Sequence, residues 1–147
     1  MSTRCQIKIV DESQELWFYR HSDGYPSSVM PDLRKLLAWV KEGKLRDNVE
    51  QTAGWLVLLG AQEYAYEAVF QRDHTLNIPV DLHRKEPEFT MTGWKVGAYE
   101  PCPCRDFHDD IEFFYVLDLH AKTLSFAEYD SANNWETLIP DDGRRYE

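Results

Sequence analysis

The chain has 147 residues, enough for one domain, 1–147, with a single core. Its composition, 43% hydrophobic and 29% charged, excludes intrinsic disorder, and even the 56–61 run LVLLGA falls far short of the roughly twenty apolar residues that cross a bilayer. A formal charge of -10, from 26 acidic and 16 basic residues, repels phosphate backbones and anionic lipid, which argues against nucleic-acid and membrane partners.

MSTRCQIKIV enters strand pattern directly, without a long apolar leader, so a cytoplasmic location is expected. Cys5, Ile7 and Ile9 alternate with Gln6 and Lys8, and Leu16, Phe18 and Arg20 alternate with Trp17, Tyr19 and His21. A turn at 11–14 then pairs two strands with Cys5 opposite Arg20, Ile7 opposite Phe18 and Ile9 opposite Leu16. The aliphatic side chains gather on one face, leaving Trp17 and Tyr19 with Gln6 and Lys8 on the other.

Leu33, Leu36, Leu37 and Val40 recur at helical spacing and predict a first helix over 29–42, with Ser27 or Ser28 as N-cap, Pro31 in the first turn and Gly43 as the stop. Asp47 and Glu50 resemble a capping box for a second helix over 49–70. Its middle, AGWLVLLGA, is apolar nearly all round, which predicts a central buried helix in which Gly54 and Gly60 allow close approach to the sheet. The 71–93 stretch, with Pro79 and Pro87 and no sustained period, reads as a long loop.

Strand pattern resumes at 94–99, then at 111–119, and a hairpin turn containing His120 leads to a strand through Leu124 and Phe126. Trp135, Leu138 and Ile139 offer a last apolar anchor. The expected fold is α+β: a two-layer sandwich in the order ββααβββ, with a mainly antiparallel five-stranded sheet and two helices on one face.

Three places can carry function. In the turn WFYRHSDGYP, Arg20 enters the apolar face and needs a counter-charge, for which Asp23 is near in sequence; alternatively Arg20, His21, Asp23 and Tyr25 surround an anionic ligand. In CPCRDFHDD, Cys102, Cys104 and His108 can be three ligands of a tetrahedral zinc, with Cys5 or His21 as the fourth. The C-x-C spacing departs from the usual C-x₂₋₄-C pairs, so no cofactor is the default expectation, with free thiols at all three cysteines. Finally, aromatics make up 14% of the chain, and Trp17, Tyr19, Phe114, Val116 and Tyr129 fall on the sheet face away from the helices. Such a face marks a contact surface unless the 71–93 loop or the C-terminal tail folds over it.

The opening TRCQI together with YRHSDGYP resembles a family of small bacterial and phage proteins that begin with such a hairpin. The resemblance covers mainly the first quarter of the chain and implies no activity. The leading expectation is therefore a non-enzymatic interaction module that binds a protein partner or a second copy of itself through the aromatic sheet face. The alternatives are an enzyme binding a metal or an anionic ligand through the 102–108 loop or the 20–25 turn, and an acidic mimic of nucleic acid.

Overall fold

A computed structural model describes residues 3–75, 99–103, 105–128 and 138–141, the side chains of 63–75 excepted. The first hairpin forms in the expected register: β1 (Cys5–Val10) runs antiparallel to β2 (Glu15–Arg20), with Cys5 opposite Arg20 and Ile7 opposite Phe18. Asp11 builds the turn by accepting the Ser13 and Gln14 amides at 2.8 and 2.9 Å. Its second oxygen accepts the amide of Val49 at 3.0 Å, so one carboxylate closes the hairpin and caps a helix. The Ser13 and Val49 amides are the main reasons its carboxyl lies below the ordinary carboxylate range.

Helix α1 (Pro26–Lys41) starts earlier than its apolar spacing predicts. Proline suits the first helical position, so Pro26 opens the helix and Ser27 and Ser28 lie inside its first turn, with no side-chain cap at Tyr25. Gly43 ends it as expected, in the left-handed region at φ 77°. Helix α2 (Val49–Thr75) is capped by Asn48, whose side chain accepts the Gln51 amide at 3.1 Å, in place of the expected Asp47–Glu50 box. It absorbs 71–75 of the expected loop, the remainder of which lies outside the described residues. Among the described residues, no helix is long and apolar enough to cross a membrane.

The later strands are β3 (Tyr99–Cys102), β4 (Phe113–Asp118), β5 (Thr123–Glu128) and β6 (Ile139–Pro140). Among the described residues the sheet therefore has six strands in the spatial order β3-β2-β1-β4-β5-β6, and the chain order is ββααββββ. It is mixed: β1 pairs in parallel with β4, while the other neighbours are antiparallel. The sheet is mainly antiparallel, as expected; the sixth strand and the one parallel pair differ from the expected five-stranded layer, and alternation reports which face a residue takes and not which way its strand runs. Of the strand expected at 94–99, only Tyr99 falls among the described residues, where it opens β3. The tail is held by the Asp141 carboxylate, bidentate to Arg34 at 3.0 and 2.7 Å; Ile139 is exposed and Trp135 lies outside the described residues.

The core lies between one sheet face and both helices. Cys5, Ile7, Ile9, Phe18, Tyr115 and Leu117 meet Val29, Leu33 and Leu36 from α1 and Val49, Leu56 and Leu59 from α2. Helix α1 lies over β4 and β5, and α2 over β1, β2 and β3. At Gly60, α2 comes so close to β3 that an added Cβ would stand 2.8 Å from the Tyr99 ring and 3.2 Å from its backbone nitrogen. The ring cannot swing aside freely, since its hydroxyl donates to Asp32 at 2.6 Å. Gly54 is different, with open space around the same position, so only Gly60 serves close approach to the sheet. Gly60→Ala should cost about 2 kcal/mol, lowering the melting temperature by roughly 4 to 8 °C. Gly54→Ala should leave it unchanged or raise stability by up to about 1 kcal/mol, since alanine favours a helix interior. Thermal unfolding followed by circular dichroism checks both.

Candidate functional site

The turn after β2 divides its residues between the two sides of the sheet. Arg20 is buried on the core face, where its Nε donates to the Ser22 carbonyl at 2.8 Å and its guanidinium lies 4.7 Å from the centre of the Tyr99 ring. Asp23 does not supply the expected counter-charge. It is exposed at φ 56° and accepts the Tyr25 hydroxyl at 3.2 Å. His21 faces the other way, with Nδ1 2.9 Å from the Tyr19 hydroxyl. These four residues therefore surround no common point, and burial withdraws Arg20 from any ligand in solvent. Beneath the turn, Cys5 is fully buried, and burial pushes its thiol up to about 12 despite the opposing charge of Arg20. Cys5 cannot complete a site with Cys102. It faces the helices, whereas Cys102 pairs with Trp17 and takes the outer face.

On that outer face the aromatic residues are less open than their spacing predicts. Trp17 and Phe114 are only 9% and 4% exposed. Among the described residues their cover is Phe107, whose ring meets Trp17 at 5.4 Å and Phe114 at 4.9 Å between centroids, both edge-on. Among the described residues the covering segment is 105–108, between β3 and β4; most of the 71–93 loop and of the tail lies outside them. Tyr19 and Val116 are half-buried, and Tyr129 lies outside the described residues.

One side chain holds this cover in place. Gln6, fully buried, donates through Nε2 to the Asp106 carbonyl at 2.9 Å and accepts the His108 amide on Oε1 at 2.9 Å. The same Nε2 stands 3.6 Å from the Cys102 sulfur. His108 lays its ring on Tyr19, 4.6 Å between centroids and 12° from parallel, and brings Nε2 to 3.6 Å from Cys102 Sγ. Burial is the first reason the Tyr19 hydroxyl is raised above its ordinary value, and Asp110 the second. Cys102 and His108, two of the three expected metal ligands, are therefore together; the third, Cys104, lies outside the described residues. Gln6 and Phe107 escaped the sequence reading, the first because a glutamine on an outer strand face reads as solvated, the second because it is one ring among charges.

Helix α2 supplies the largest run of exposed apolar side chains. Its inner side fills the core, yet Trp55, Val57 and Leu58 are 39%, 38% and 40% exposed. The helix is not buried all round, as its apolar pattern predicts: it packs on β1, β2 and β3 with one side and leaves the other exposed. Trp55 meets Trp39 of α1 edge-on at 5.6 Å, extending the surface onto the neighbouring helix. A groove of about 430 Å³ lined by Ser27, Ser28, Asp32, Lys35, Leu59 and Gln62 lies between the helices, on the far side of the sheet from Cys102 and His108. No family model, curated protein or solved structure matches the chain.

Proposed function

We propose that the chain is a non-enzymatic protein-interaction module that associates with a second copy of itself through the outer side of α2. The observation that carries this reading is the exposure of Trp55, Val57 and Leu58 on a helix whose other side is already committed to the core. A helix apolar on all sides is normally covered on all sides. Gly54, exposed and with open space around it, lets a partnering helix approach closely. The sheet face, the other candidate surface, is the weaker one because Phe107 already covers Trp17 and Phe114.

The charge makes the reading testable. Two copies, each carrying -10, repel one another, and salt screens that repulsion over a length of about 10 Å at 0.1 M and about 3 Å at 1 M. Self-association through an apolar face therefore strengthens with salt, whereas binding to a basic protein weakens. Sedimentation equilibrium across 0.05 to roughly 1 M salt should show a dimer that tightens over this range. Leu58→Glu should give a monomer that keeps the native far-ultraviolet circular dichroism spectrum, since that side chain is exposed. A wild-type chain that stays monomeric at high concentration and high salt overturns the reading.

A further inference from the structure

We infer that Cys102 and His108 form a binding site for a borderline-soft divalent cation, zinc(II) above all, separate from the association surface on α2. Thiolate sulfur and imidazole nitrogen are the donors that zinc prefers, with Zn–S near 2.3 Å and Zn–N near 2.0 to 2.1 Å. At a tetrahedral angle those bond lengths set the two donor atoms about 3.5 to 3.6 Å apart. The Cys102 Sγ to His108 Nε2 separation is 3.6 Å, the spacing that one bridging ion requires. On binding, the metal takes the place of the thiol proton, which passes to solvent.

The surroundings of the pair are those of oriented metal ligands. Such ligands need neighbours that fix their direction, and loss of a neighbour commonly weakens the site 10- to 100-fold. Here the Gln6 amide points at the sulfur from 3.6 Å and simultaneously fixes the backbone of His108, while the Tyr19 ring sets the plane of the imidazole. Gln6 is wholly buried, so the sulfur is held from the protein side and the half-exposed Cys102 remains open to an incoming ion. Among the described residues no group of three or more His, Cys, Asp or Glu is arranged for a metal, so the pair itself carries the assignment. A site of this composition selects zinc over magnesium or calcium, which require oxygen ligands.

Cobalt(II), a spectroscopic stand-in for zinc, tests the assignment on the reduced, untagged chain. Titration should produce a near-ultraviolet thiolate-to-cobalt band that zinc displaces and that magnesium at millimolar concentration leaves intact. Cys102→Ser should abolish the band. His108→Ala, a change on an exposed loop residue that the fold tolerates, should weaken cobalt binding at least about 10-fold, as should Tyr19→Leu. Absence of the band in the wild-type chain overturns the inference, as does a band that survives Cys102→Ser but disappears in Cys104→Ser.

Discussion

Gly24→Ala is expected to lower the melting temperature by about 10 °C, the largest effect of a methyl group added at any described glycine. An added Cβ would stand 2.8 Å from the Cys5 Cβ, 2.9 Å from the Cys5 nitrogen and 3.0 Å from the Arg4 carbonyl carbon. Two of those three atoms are backbone, so no side-chain rotation relieves the contact. Gly24 is also bonded on both sides: its amide donates to the Thr3 carbonyl at 2.9 Å, and its carbonyl accepts the buried Tyr115 hydroxyl at 2.8 Å. Moving the glycine away from β1 therefore breaks a bond to the edge of β1 and strands a hydroxyl in the core. Overpacking of this kind costs about 3 kcal/mol, and each kcal/mol moves the midpoint of a domain this size by roughly 2 to 4 °C. Calorimetry would show it; a shift below 2 °C would mean that the turn is looser than these contacts require.

The second large effect is expected at Gln6, and Gln6→Met isolates it because the volume is kept while the hydrogen bonds are lost. The substitution removes the bonds to the Asp106 carbonyl and the His108 amide together, at roughly 1 kcal/mol each plus the cost of leaving those groups under-satisfied. A loss of about 2 to 3 kcal/mol in urea unfolding is expected. The same change should release Phe107 from Trp17 and Phe114, seen as new binding of a hydrophobic dye and faster proteolysis after Arg105. If stability falls and neither dye binding nor cleavage changes, Gln6 supports the strand and not the cover.

Much of this architecture was legible from alternation alone. The hairpin register, the burial of Arg20 and the apolar stripe of α1 all follow from periods of 2 and 3.6 residues. What period does not carry is direction, so the parallel pairing of β1 with β4 was not readable, and β6 is too short for any pattern to repeat. Nor does it rank the sides of a helix such as α2, which is apolar all round; the choice of Leu56 for the core and Leu58 for the surface is made by the position of the sheet. At the rim, CPCRDFHDD announced Cys102 and His108 by residue type. Their meeting depends on Gln6, more than ninety residues away, which only the folded sheet brings alongside.

The place of β1 in the sheet also sets a timetable for biosynthesis. Its parallel neighbour β4 is translated about a hundred residues after it, so at ribosomal speeds of roughly 5 to 20 residues per second β1 waits some 5 to 20 seconds with that edge open, while the β2 edge waits for β3. During that interval the unpaired edge is available to any extended segment in the cell. Nascent chains stalled before residue 113 should therefore recruit chaperones that full-length chains have already shed.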